Sequence, residues 1–181
     1  TILKTVNKGK FSSKVGNSDA HKIQEEILEE SIRNAKELNI EGFFVIGGDG
    51  TQSTSAQLIE KGLKIIGIPK TIDNDLPFID KTFGFSTAVD IASESMQRLQ
   101  TTATSHDRVF LVETMGRNSG WITLFAGLAG GADAIILPEF NFEEDQFIDH
   151  LLKRKKSGRA FSIVALSEGV KFNGKLSATQ I

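Results

Sequence analysis

Acidic residues set among glycines, threonines and a basic side chain are the first feature of this chain that could do chemistry. In Gly47-Gly48-Asp49-Gly50-Thr51 the paired glycines let the backbone turn tightly and approach a ligand, and a helix starting there presents unpaired N–H groups to an anion. Asp49 cannot itself welcome a phosphate. Its carboxylate makes sense where a divalent cation stands between it and phosphate oxygens, the usual arrangement in phosphoryl transfer. A plain strand-to-helix turn with an N-cap would use the same residues. Pro69-Lys70-Thr71-Ile72-Asp73-Asn74-Asp75 sets Asp73 and Asp75 two apart in a non-helical loop, where polar side chains can converge on a ligand hydroxyl. Asp73 could orient an alcohol and take its proton as the bond to phosphorus forms, with Asp75 holding it in place or lying near a metal. A solvated loop of Asx-turns is the alternative. Glu113-Thr114-Met115-Gly116-Arg117-Asn118-Ser119-Gly120 supplies the complementary charge, because Arg117 is permanently protonated and can fork onto phosphate oxygens while Gly116 permits close approach. Arg117 would equally suit a surface turn. Arg108 could reach a phosphate or face solvent, and Glu168 could accept hydroxyl hydrogen bonds or cap the next element.

The elements that must position these residues alternate in period. From Asp19 to Asn39 apolar residues recur three to five apart, as in a helix with one buried stripe. Phe43 to Ile46 reads as a strand, Thr51 to Lys61 as a helix stopped by Gly62, and Lys64 to Ile68 as a strand ending at Pro69. Ser86 to Thr104 is helical, and so is Glu143 to Lys155. Val109 to Val112, Ala134 to Leu137 and Ser162 to Leu166 are strands. Continuous apolar strands between amphipathic helices indicate an α/β fold, a parallel sheet covered on both faces. Such sheets bind ligands beyond the carboxyl ends of their strands, which is where GGDGT, PKTIDND, ETMGRNSG, Pro138-Glu139 and Ser167-Glu168-Gly169 all fall. Trp121 and the phenylalanines sit at core-like spacing, with no stacking platform. The basic run Lys153 to Lys156 suits the negative end of a helix dipole and is read as a solvated face.

Composition narrows the classes. At 181 residues, 39% hydrophobic and 24% charged, the chain is that of a soluble globular protein. Lys+Arg 21 against Asp+Glu 23 lacks the field that nucleic acid or an anionic membrane would need, so neither is expected as a partner. With Cys 0 and His 3, no thiolate chemistry or cysteine metal site exists, whereas oxygen-ligated Mg²⁺ remains open. No apolar run approaches the roughly 18 residues that cross a bilayer, and a basic-then-apolar secretion signal is missing, so cytoplasmic residence is the expectation. Thr1 stands where Met is ordinary, which reads as a segment of a longer protein.

Taken together and in order, GGDGT, TIDND and MGRNSGW resemble the phosphofructokinase family, whose members phosphorylate the 1-hydroxyl of fructose 6-phosphate, and the resemblance runs from Thr1 almost to Ile181. It implies two Rossmann-like lobes with a cleft between them, a phosphoryl-donor lobe over residues 1–84 and a sugar-phosphate lobe over 85–181, incomplete at both ends. It also implies that Asp73 is the catalytic base, aided by Arg117, and that Asp49 serves Mg²⁺. Gly48, Gly50 and Thr51 would line the donor site, while Thr71, Asp75, Met115, Gly116, Arg117 and Glu168 would contact the sugar phosphate. Arg108 resembles the arginine that reaches the 6-phosphate of a neighbouring subunit's substrate, which implies a homo-oligomer, a dimer or tetramer, and an allosteric glycolytic enzyme.

Departures from the pattern leave alternatives open. Asn7 stands where relatives commonly carry an arginine, with Lys8 or Lys10 as substitutes. Gly50 resembles ATP-using members, since a side chain there would meet the α-phosphate, whereas Lys70 resembles pyrophosphate-using members. Gly50 tips the expectation toward ATP. A pyrophosphate-dependent enzyme, a lipid or dinucleotide kinase sharing GGDGT, and a noncatalytic regulatory domain of the same fold are the competing readings.

Overall fold

The computed structural model describes residues 22–172 together with 176 and 177, so Asn7, Lys8 and Lys10 lie outside the described residues. The chain divides into two compact units, Thr1–Lys70 and Thr71–Ile181. The Asp73 loop falls in the second of these units.

In the first unit, helix α1 (Glu25–Glu37) buries Leu28 and Ala35 on one stripe and opens with Glu25 and Glu26, which suit the positive end of its dipole. Of the helix expected from Asp19, residues 19–21 lie outside the described residues, and the described helix begins at Glu25. Strands β1 (Phe43–Gly47) and β2 (Ile65–Thr71) pair in parallel, Phe43 opposite Ile65 and Gly47 opposite Pro69. Helix α2 (Asp49–Glu60) connects them and begins two residues earlier than its period suggests. Gln52, in its first turn, donates from Nε2 to the carbonyls of Gly47 and Ile68, each at 3.1 Å. One amide thus ties together the carboxyl ends of both strands. The Ile23 N–H donates to Gln57 Oε1 at 2.8 Å, and Lys61 pairs with Glu25, a hydrogen bond that holds the lysine pKa above its ordinary value.

The second unit contains β3 (Phe83–Gly84), α3 (Phe85–His106), β4 (Val109–Thr114), α4 (Trp121–Gly130), β5 (Ala134–Ile136), α5 (Glu144–Lys156), β6 (Ser162–Ser167) and a short antiparallel pair, β7 (Lys171–Phe172) with β8 (Leu176–Ser177). Strand β6 lies between β4 and β5, parallel to both. Every residue of β6 is buried, and its alternation separates two cores. Ile163 and Ala165 join Met96, Ala103 and Ala126 from α3 and α4, while Val164 and Leu166 join Ile136 and Val170, with Phe147 and Leu151 of α5 packed against them.

Coverage on both faces therefore holds for the central strand but not throughout. Val109 and Leu111 on edge strand β4, and Phe44, Ile46 and Ile66 on β1 and β2, are exposed, because among the described residues no helix covers these alternate side chains. Trp121 is also 45% exposed, tilted against Phe125, so its place is not the core. Helix α4 escapes the periodic signal because it is apolar nearly all round. It packs so closely that a Cβ on Gly127 would lie 2.8 Å from Ile135 Cδ1, and one on Gly130 3.0 Å from Met96 Cβ. In the basic run, Arg154 departs from the solvated-face reading, since it pairs with Asp133 at low exposure. Among the described residues, no helix is long and apolar enough to cross a membrane.

Candidate active site

Each unit gathers part of the expected site at the carboxyl ends of its strands. In the first unit Gly48 is the N-cap residue of α2, in extended conformation, and Asp49, Gly50 and Thr51 form the first turn. Asp49 is exposed there, where helix N–H groups and the positive dipole end both favour an anion. One carboxylate beside N–H donors would suit Mg²⁺, an ion usually held through one or two carboxylates together with substrate phosphates rather than by protein alone. No cluster of three or more His, Asp or Glu side chains with metal-binding geometry occurs among the described residues. Lys70 is exposed near the end of β2, on the same rim as this helix start.

In the second unit the Asp73 loop is built by its threonines and Asn74. The Thr71 hydroxyl accepts the Asp73 N–H at 3.2 Å and donates to Asp73 Oδ2 at 3.3 Å, which fixes one face of that carboxylate. Asn74 has φ 54, the left-handed region that asparagine tolerates. Its Oδ1 accepts the Thr82 N–H at 2.8 Å, and the Thr82 hydroxyl donates to Thr71 O at 2.9 Å. Asn74 therefore braces the loop from within instead of converging on a ligand with its neighbours. Asp75 is exposed and lines a groove of about 530 Å³ with Lys81, Phe85, Trp121 and Phe125.

The arginine loop after β4 meets this one. Ser119 donates from Oγ to Asp73 O at 3.4 Å, across 46 residues of sequence. Glu168, at the end of β6, accepts the N–H groups of Gly116 at 3.2 Å and Arg117 at 2.7 Å, both on Oε1. Its role in the fold is thus to hold a loop, and the second oxygen, Oε2, carries neither bond. Arg117 sits at φ 52 and Gly116 at φ 152, a turn that only glycine enters easily at the second angle. A Cβ on Gly169 would run into the Arg117 carbonyl, so the chain after β6 touches the loop backbone directly. The exposed Arg117 and Met115 side chains stand on this braced turn.

Arg108 is not part of this cluster. It precedes Val109, while Met115 to Arg117 follow Thr114, so the six residues of β4, on the order of 20 Å, separate the two arginines. The sequence places Ser119, Glu139 and Gly169 in rim loops but gives them no individual role. Local pattern could not supply one, because each acts through a backbone group 19 to 52 residues away.

The family model described as Phosphofructokinase matches residues 1–181. The chain is 42% identical over 172 residues to "ATP-dependent 6-phosphofructokinase 2" of Clostridium perfringens (strain 13 / Type A), covering 94% of this chain and 47% of that protein. It is 43% identical over 169 residues to "ATP-dependent 6-phosphofructokinase" of Spirochaeta thermophila, covering 93% and 46%. Among solved structures, a pyrophosphate-dependent phosphofructokinase from Marinobacter aquaeolei superposes with a TM-score of 0.73 at 28% identity, over 87% of this chain and 44% of that one. The chain spans about half the length of the curated relatives it matches. The Asp73 loop and the arginine loop, joined by Ser119 and braced by Glu168, thus occur in a sequence matched along its whole length, and the chain belongs to the phosphofructokinase family.

Proposed function

We propose that this protein is a cytoplasmic, Mg²⁺-dependent 6-phosphofructokinase that moves the terminal phosphoryl group of ATP to the 1-hydroxyl of fructose 6-phosphate, giving fructose 1,6-bisphosphate. The observation that carries the reading is Asp73, its carboxylate fixed by Thr71 and its backbone tied through Ser119 to the loop of Arg117. Asp73 orients the sugar hydroxyl and accepts its proton as the O–P bond forms. Arg117 forks onto phosphoryl oxygens and offsets the charge that builds there. Glu168 Oε2 accepts from a sugar hydroxyl, and Thr71, Asp75, Met115 and Gly116 complete the sugar-phosphate contacts. Gly48, Gly50, Thr51 and Lys70 hold the donor's phosphates, with Asp49 serving the metal. Bound Mg²⁺ would neutralise phosphate charge and fix the donor's geometry. Arg108, far along β4 from this loop, contacts the 6-phosphate held by a second copy of the chain, so the active form is a homo-oligomer. Residues 1–84 form the donor lobe and residues 85–181 the sugar-phosphate lobe in this reading.

The names of the curated relatives support ATP as donor. Lys70 and the pyrophosphate-dependent neighbours support pyrophosphate as a second reading. In the product of the complete gene, Asp73→Ala should lower kcat by about 10²–10⁴ while sugar-phosphate binding stays within a few-fold. Single turnovers with ATP and with pyrophosphate separate the donors. Turnover retained by Asp73→Ala would end the assignment.

A further inference from the structure

Glu139 belongs to none of the contacts assigned so far, yet its carboxylate reaches the arginine loop. Oε1 accepts the N–H of Gly120 at 2.7 Å, across 19 residues of sequence. Gly120 ends the loop and is the N-cap residue of α4. The fit is close on every side, since a Cβ on Gly120 would stand 2.7 Å from Glu139 Oε2, 2.8 Å from Leu137 Cδ2 and 3.0 Å from Pro138 Cδ. Pro138 also lies 3.2 Å from where a Gly169 Cβ would be, and Gly169 abuts the Arg117 carbonyl. The segments after β5 and β6 therefore cradle the loop together. Glu168 holds its middle at Gly116 and Arg117, and Glu139 holds its far end at Gly120.

We propose that Glu139 is a positioning residue, which sets the aim of the Arg117 side chain by pinning the Gly120 end of its loop. Arg117 adopts φ 52, a backbone state that non-glycine residues enter at a cost, so an unpinned loop has a relaxed alternative to fall into. Gly120 is where that relaxation is blocked: its amide is fixed by Glu139 and its carbonyl by the Leu124 N–H at 2.8 Å. The kinetic form of the inference rests on the function proposed above.

The test uses the product of the complete gene. Glu139→Ala should raise the KM for fructose 6-phosphate roughly tenfold, equivalent to about 1.4 kcal/mol, and leave the KM for the nucleotide within about twofold. Glu139→Gln, whose amide oxygen still accepts the Gly120 N–H, should restore KM to within about threefold. Leu151→Ala, which loosens the core beneath α5, should leave the ratio of the two KM values unchanged. Hydrogen exchange at the Gly120 amide, measured without substrate, should quicken about tenfold or more in Glu139→Ala and stay near wild type in Glu139→Gln. Unaltered exchange at Gly120, or equal shifts in both KM values, would overturn the inference. A wild-type protein without kinase turnover would defeat the proposed function, and the exchange result would still decide the pinning.

Discussion

Replacing Gly169 with alanine adds one methyl group and no charge, and it should disable the arginine loop more than it destabilises the protein. An ideal Cβ at this position runs into Arg117 O, inside the 3.0 Å that real Cβ atoms keep, and comes within 3.1 Å of Arg117 C and 3.2 Å of Pro138 Cβ. The obstruction is backbone, so no side-chain rotation relieves it, and the loop must move by on the order of 1 Å. Overpacking of this kind costs about 1–3 kcal/mol, or roughly 2–4 °C of Tm for each kcal/mol in a chain of this size. In the proposed function Arg117 meets the migrating phosphoryl, and a displacement of about 1 Å there would cost about 10²-fold in rate, some 2.7 kcal/mol of barrier. Steady-state kinetics on the complete gene product should therefore show kcat/KM for fructose 6-phosphate down about 100-fold, with nucleotide binding by calorimetry unchanged. Gly158→Ala is the control, since that glycine has φ 88 and nothing within 4 Å of an added Cβ. It costs stability through backbone strain alone, on the order of 1 kcal/mol, and should leave kcat/KM alone. If Gly169→Ala keeps kcat/KM within about twofold of wild type, the direct coupling between Gly169 and the Arg117 backbone is wrong.

Asp133 accepts the Ile163 N–H at 2.9 Å on Oδ2 and pairs with Arg154 through Oδ1, so it joins α5 to β6. Asp133→Ala leaves both partners wanting at low exposure and should cost about 2–4 kcal/mol by urea unfolding, whereas less than about 1 kcal/mol would mean that the pair is as well solvated as a surface bridge. Lys61 has its pKa raised above 10.5 by its hydrogen bond to Glu25, so the stabilisation from that pair is full below 10.5 and fades as pH climbs through the folded value. Lys61→Met should accordingly lie below wild type in stability at neutral pH, and the two melting curves should converge in strongly alkaline buffer.

The alternation of periods was legible because it is local. Phe43 to Ile46, Lys64 to Ile68 and Ser162 to Leu166 declare themselves as short apolar runs, and α1, α3 and α5 by one-sided stripes, so the α/β class and the rim of charged loops follow from the chain as written. Helix α4 did not follow, because a segment apolar nearly all round has no stripe and its glycines look like breakers until Ile135 and Met96 are seen against them.

What the chain alone determined about this protein, then, is which side chains could do chemistry and at which strand ends they stand: Asp49, Asp73, Arg117 and Glu168 were all singled out without coordinates. Tertiary structure decided what each is tied to. Asn74 turned inward to Thr82, Glu168 proved to grip the Arg117 backbone, and Ser119, Glu139 and Gly169 acquired their roles only from neighbours distant in sequence. The physical reason is that a residue's type and its period are set by its own few neighbours, whereas a hydrogen bond or a close backbone contact depends on which strands lie side by side.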